Sequence, residues 1–200
     1  MHRSRLGTLI IGLSLVGASS FLTSPVVASD VGTAVLSYSS AALLTAPQVT
    51  VVTFVDPARP GGAGGFTKGT FAASTPNLAG AITASLSGSY ATWWQAEYST
   101  PTYALGAGGY AGAVAIDNPA LADSSVVSDA AIESALNANV TSGVLATGPN
   151  VIDVVVTRSG QKVTDGVNGN SRSQFCAYHG LLSTGGTFVV LPNEDRNFDC

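Results

Sequence analysis

Apolar residues in this chain fall into short runs that are separated by segments rich in Gly, Ser and Thr. Residues 49–55 (VTVVTFV) and 151–157 (VIDVVVT) are β-branched and almost continuously apolar, which is typical of strands buried on both faces. Residues 113–116 and 187–191 are shorter runs of the same character. The pattern therefore predicts four strands, and we expect the two long ones to lie inside a sheet.

Two helices are predicted between the first two strands. Thr75 followed by Pro76 indicates a helix start, with the threonine hydroxyl as N-cap and proline at the first helical position. Residues 90–98 form a second segment, which carries Trp93 and Trp94. Adjacent residues of a helix point about 100° apart. One tryptophan is therefore expected to enter the core while the other covers a neighbouring loop.

A third helix is predicted to begin after Ser128, whose hydroxyl can cap it, and to end at Gly143. Ile132 and Leu136 lie four residues apart and form its buried stripe. Residues 159–173 are polar and are interpreted as a loop. The element order β, α, β, α, β, β predicts an α/β fold. We expect about four to five mostly parallel strands covered by helices, in a two-layer or three-layer sandwich.

The first 28 residues have the features of a secretory signal peptide. Arg3 and Arg5 supply a basic start, residues 6–21 are apolar, and small residues precede Ser29. The apolar run is shorter than the roughly 20 residues that span a bilayer. We therefore expect a secreted protein, extracellular or periplasmic, without membrane contact after signal cleavage.

Composition and charge narrow the class of the mature protein. The chain is 46% hydrophobic and only 10% charged, which excludes intrinsic disorder. We predict a flexible lead-in over residues 29–47 and a single domain over residues 48–200. Loss of Arg3 and Arg5 leaves six basic and twelve acidic residues, a net charge of −6. An acidic chain with dispersed Lys and Arg has no footprint for nucleic acid.

The segment SQFCAYHG, residues 173–180, holds the only histidine that remains after the leader, His179, and one of the two cysteines. In an oxidising compartment Cys176 and Cys200 most simply form one disulfide. Thiol catalysis by Cys176 and His179 is the competing interpretation. We assign no catalytic residue, because no G-x-S-x-G motif nominates a serine for hydrolysis.

Three polar residues follow predicted strands and form a candidate site rim. Asp56 and Asp117 each lie at the carboxyl end of a strand, and His179 comes after the third strand and its loop. Ligands bind at this edge in open α/β sheets. The alternative is that both aspartates cap loops while His179 bonds to backbone near the disulfide.

No cofactor follows from the sequence with certainty, and zinc and calcium are the candidates. Asn193, Asp195, Asn197 and Asp199 alternate oxygen-bearing side chains as in the first half of a calcium loop. No glycine or later glutamate completes the loop, so a solvated acidic turn competes with this interpretation. His179 is a candidate zinc ligand, but catalytic zinc takes three protein ligands.

The order of these features resembles the EXORDIUM family of phosphate-induced proteins, especially its bacterial secreted relatives. The resemblance rests on Trp93, Trp94 and Tyr98 in WWQAEYSTP and on Cys176 and His179 in FCAYHG. It implies a secreted or wall-associated protein whose biochemical activity is not established.

Two functional hypotheses follow. The first is a binding or structural module at the cell surface, with Trp93, Trp94 and Tyr98 contacting cell-wall carbohydrate or an extracellular protein. The second is implied by the resemblance: a zinc-dependent peptidase-like hydrolase in which His179 lies near a metal held by a later helix. On this second hypothesis the domain is expected to continue beyond Cys200.

Overall fold

The computed structural model describes residues 44–59, 68–99, 104–167 and 169–193. The predicted signal peptide and most of the predicted lead-in lie outside these ranges. In chain order the described elements are β1 (Gln48–Val55), α1 (Lys68–Ser87), α2 (Ser89–Tyr98), β2 (Gly109–Asp117), α3 (Pro119–Asp123), β3 (Val126–Ser128), α4 (Asp129–Thr141), β4 (Val151–Val156), β5 (Lys162–Asp165), β6 (Gly169–Asn170), β7 (Tyr178–Leu182) and β8 (Gly186–Leu191).

The main sheet has five strands in the order β2-β1-β4-β8-β7. Four of them are parallel, and only β7 runs antiparallel to its neighbour β8. Val51 of β1 lies opposite Ala113 of β2 and Val154 of β4. The sheet confirms the predicted α/β fold with mostly parallel strands.

β1 is buried on both faces, as its sequence predicts. Val51 and Val52 have no exposed surface, and successive side chains of a strand point to opposite faces. Val52 belongs to the core cluster that contains residues of α4, whereas α1 contacts β1 and β2. The helices therefore cover the sheet from both sides.

The face of the sheet toward α4 carries the larger core. Ile132 and Leu136 are fully buried and pack with Val155, Phe188 and Val190 of the sheet. The backbone N–H of Ala131 donates to Ser128 Oγ at 3.3 Å, which confirms the predicted N-cap. Gly143 follows the helix with φ +77°, the left-handed conformation that ends helices at glycine.

A second, three-stranded sheet in the order β3-β5-β6 also joins this core. The interpretation of residues 159–173 as a loop is therefore wrong. β5 reads KVTD and buries only Val163, and β6 has two residues. Such short, mostly polar strands leave no apolar run to detect.

The predicted start of the first helix is also wrong. α1 begins at Lys68, so Thr75 and Pro76 lie inside the helix. Thr-Pro is only a local start signal, and here the helix continues through it. Within the described residues, no helix is both long and apolar enough to cross a membrane.

Gly180 fits its strand only because it has no side chain. A Cβ built there would lie 2.5 Å from Phe188 Cε1 and 2.7 Å from Phe188 Cζ. Phe188 is almost fully buried in the core, so its ring has little room to move. The last residue of the FCAYHG segment therefore has a packing role.

We expect Gly180→Ala to lower the free energy of unfolding by about 1–3 kcal/mol, because the new methyl group overpacks against Phe188. Gly80→Ala is the matched control, since nothing lies within 4 Å of its Cβ position on α1. That change should raise the free energy of unfolding by about 0.5–1 kcal/mol. Urea unfolding measures both, and equal stability of the two variants would contradict the packing role.

Candidate functional site

The structure places two of the three candidate rim residues, Asp56 and Asp117, at the carboxyl edge of the sheet. His179 is not at that edge, because it pairs with Val189 of β8, level with Val51 in the middle of β1. Asp56 and Asp117 follow the neighbouring strands β1 and β2. His179 lies on β7, three strands away from β1, and it is exposed. Three strand spacings amount to roughly 14 Å. One small ligand cannot contact all three side chains.

Asp56 organises its own loop. Its Oδ1 accepts a hydrogen bond from the backbone N–H of Ala58 at 2.8 Å. Its Oδ2 lies 3.8 Å from Arg59 Nε, and Arg59 Nη1 lies 3.3 Å from Asp123 Oδ2. This geometry corresponds to the loop-capping alternative for Asp56.

Polar groups beside β4 at the same edge are also bonded to the protein itself. The chain places β2 on one side of β1 and then β4 on the other side. α/β sheets usually bind ligands at such a point, here between the carboxyl ends of β1 and β4. Arg158 fills this place and donates to the carbonyl oxygens of Ala122, Asp123 and Ser124 at 2.8, 3.1 and 2.9 Å. The crevice beside it has no space for a water molecule.

Tyr178 of the FCAYHG segment is a core residue. Its ring meets Phe175 and Phe188 edge-on, with centroids 5.3 and 6.2 Å away. Burial, and next the adjacent Asp129 carboxylate, raise the pKa of Tyr178 above its usual range. The hydroxyl and Asp129 Oδ1 are both buried, yet neither has a partner in good hydrogen-bond geometry. The contact between them is therefore poorly aligned, and the phenol stays protonated.

The two candidate metal sites gain no support from the described residues. Within those ranges no group of three or more His, Cys, Asp or Glu side chains could hold a metal ion. Asp195, Asn197 and Asp199 lie outside the described residues, and the backbone N–H of Asn193 donates to Thr157 Oγ1 at 3.0 Å. The candidates zinc and calcium therefore stay predictions.

Cys176 is exposed, and none of the described cysteines is free. Its predicted partner Cys200 lies outside the described residues. The disulfide between them stays a prediction.

Two aromatic rings lie exposed on α2. Trp93 is 57% exposed and Tyr90 is 67% exposed. Their ring centroids are 6.1 Å apart and their planes are tilted by 34°. The other candidate aromatics, Trp94 and Tyr98, belong to the same helix, but their side chains are not among those that the structure describes. Trp93 therefore does not enter the core, and Tyr90, which the sequence did not single out, is its neighbour.

A partly enclosed cavity of about 370 Å³ lies beside this pair, between the helices α1 and α2 and the amino edge of the sheet. Its described walls carry no charged side chain. No sequence motif indicates the cavity, because separate segments of the chain supply its walls. The described lining residues are Leu44, Thr45, Pro47, Ser85, Leu86, Tyr90, Ala91, Gln95, Leu105, Gly106, Gly108 and Ile152.

Asp153 is a carboxylic acid inside the core. It lies on β4 between Thr50 of β1 and Phe188 of β8, and it is 1% exposed. Its Oδ1 has no hydrogen-bond partner among the described residues. Burial raises the pKa of Asp153 from its usual 3.8 to about 6. The sequence already indicates this unusual position, because Asp153 is the one acidic residue in the apolar strand VIDVVV.

Comparison with known proteins identifies no relative. No protein-family model matches the chain, and searches of curated proteins and of solved structures find no match either.

The raised pKa of Asp153 predicts a pH-dependent stability. The folded state holds the proton up to about pH 6, whereas the unfolded state releases it near 3.8. The associated stability is therefore fully present below the unfolded pKa and is lost as the pH rises through the folded pKa. A gap of this size corresponds to about 3 kcal/mol.

We expect Asp153→Asn to remove this dependence, since an amide does not ionise. Urea unfolding of both proteins at several pH values, from below the unfolded pKa to neutral, measures the difference. The free energy of unfolding of the variant relative to the original should increase by up to about 3 kcal/mol over that interval. A difference that is the same at every pH would contradict the buried, ionisable carboxyl.

Proposed function

We propose that this chain is a secreted, EXORDIUM-like binding module that contacts carbohydrate through the aromatic pair Tyr90 and Trp93. The observation that carries the proposal is the exposure of two adjacent rings on one helix. Aromatic faces are large, apolar and rigid, so they pack on the flat faces of sugar rings at a small cost in side-chain entropy. Secretion and family membership rest on the signal-peptide features and the resemblance of the sequence.

The chemistry around the pair fits an uncharged polar polymer better than an anionic ligand. Neighbouring exposed positions on α2 are Thr92 and Ala96, no basic residue occurs in this helix, and its one charged residue is the acidic Glu97. A neutral sugar needs stacking surfaces and hydrogen bonds but no counter-charge. An extracellular protein is the other partner class, because Trp and Tyr also dominate protein interfaces.

The carboxyl edge of the sheet gives less support for a ligand site. Asp56 and Arg158 there bond to the backbone of their own loops and of the α3 region. The peptidase hypothesis depends on a helix beyond residue 200, so the described residues add nothing in its favour. We therefore propose binding, not hydrolysis, as the function of this chain.

Tryptophan fluorescence is a specific reporter of α2, because both tryptophans of the chain lie on this helix. We expect soluble oligosaccharides of cellulose, xylan or chitin to shift or quench this fluorescence. Calorimetry should then show that Trp93→Ala weakens the binding by about two- to tenfold, the value of one aromatic contact. Trp93→Phe should retain part of the affinity because it keeps a ring.

Leu181→Ala is the matched control, because Leu181 is 75% exposed but lies on β7, at the opposite side of the sheet from β2. It should bind as the original chain does. The absence of any fluorescence change with these oligosaccharides would reject carbohydrate as the ligand. An equal loss of affinity in Trp93→Ala and Leu181→Ala would reject the aromatic pair as the contact.

A further inference from the structure

The cavity beside α2 has the features of a small-molecule site. Its volume of about 370 Å³ lies in the range of known ligand pockets, about 300–1,000 Å³. Its apolar lining includes the aliphatic side chains of Leu44, Leu86, Leu105 and Ile152.

Hydrogen bonds between distant segments hold the walls in place. The N–H groups of Thr45 and Ala46 both donate to Asn150 Oδ1, at 2.8 and 3.1 Å. The N–H of Gly108 donates to the carbonyl of Leu86 at 3.1 Å. A side chain at Gly108 would meet Pro47 and Leu86, so glycine permits this close approach. The cavity is therefore formed before any ligand arrives.

The polar groups of the lining limit the chemistry of a ligand. Ser85 Oγ donates to the carbonyl of Ala81 at 2.8 Å, and Thr45 Oγ1 bonds to Asn150 Oδ1 at 3.3 Å. Having donated their hydrogens, these two hydroxyls can only accept from a ligand. The side-chain amide of Gln95 and the hydroxyl of the largely exposed Tyr90 can both donate and accept, so they are the lining side chains best suited to a ligand's polar end.

From this arrangement we propose that the cavity binds an uncharged small molecule with an apolar body and one hydrogen-bonding end, such as an alcohol, which contacts Gln95. Apolar walls favour the body because its transfer from water is favourable. A charged end group is disfavoured, since no described lining residue would compensate it. This site goes beyond the proposed carbohydrate contact, because it depends on the enclosed walls and not on the face of Trp93.

Ser85 and Ser87 provide a matched pair for the test. Both are exposed serines of α1, and each hydroxyl donates to the carbonyl four residues earlier, at 2.8 and 2.7 Å. Only Ser85 lines the cavity. Phenylalanine at either position adds the same apolar ring to the same helix, but only Ser85→Phe places it at the cavity.

The probe is N-phenylnaphthylamine, an uncharged fluorophore that brightens in apolar surroundings, titrated into the full chain. We expect saturable binding at one site, displaced by octanol. Ser85→Phe should weaken the binding at least tenfold, Ser87→Phe less than twofold, and Trp93→Ala less than twofold. Loss of oligosaccharide binding alone therefore leaves this proposal intact, and loss of probe binding alone leaves the carbohydrate proposal intact.

Gln95→Leu tests the hydrogen-bonding end and retains the size of the side chain. It should raise the octanol concentration needed for displacement by about fivefold, the value of one hydrogen bond, while the probe itself still binds. Probe binding that does not saturate would overturn the site. So would equal probe affinity of Ser85→Phe and Ser87→Phe, whether both are weakened or neither is. Unchanged displacement by octanol in Gln95→Leu would overturn the contact with Gln95.

Discussion

The burial of β1 between two parallel neighbours is the constraint on which the rest of this fold depends. A strand whose side chains are apolar on both faces must be covered on both faces, and its backbone must be hydrogen-bonded on both edges. β2 and β4 satisfy the edges, α1 covers one face, and the core around α4 covers the other. Val51 and Val52 point to opposite faces of the sheet, and neither has any exposed surface, so both faces of β1 are covered.

This arrangement gives the two edges of the sheet different roles. At the carboxyl edge, the change of direction between β1 and β4 would normally open a crevice. Here Arg158 occupies that place and binds three carbonyl oxygens of the α3 region. At the amino edge, Gly108 lets α1 approach the start of β2 closely, and the neighbouring segment before β1 is tied to Asn150. A cavity of about 370 Å³ lies there, at the edge that α/β folds use less often.

The sequence was sufficient for elements whose residues all point to the same structure. β1, β4 and the helix capped by Ser128 were predictable because burial, β-branching and capping agree locally. β5 and β7 were not, because they are short and bury only part of their residues.

The candidate site was harder to predict from the sequence than the secondary structure. The sequence places Asp56 at a strand end, but its distance from His179 depends on strand order and register, which long-range pairing sets. The cavity was hidden for the same reason, since its walls come from segments far apart in the chain.

The central claim of this account is that ligands bind on the α1–α2 side of the amino edge. Mapping the backbone amide shifts of isotope-labelled protein by NMR, with N-phenylnaphthylamine added, tests that claim most directly. The account predicts that the largest shifts occur in residues 85–95 and 105–108. Largest shifts around Asp56, Asp117 and Thr157 would instead place the ligand at the carboxyl edge and contradict the account.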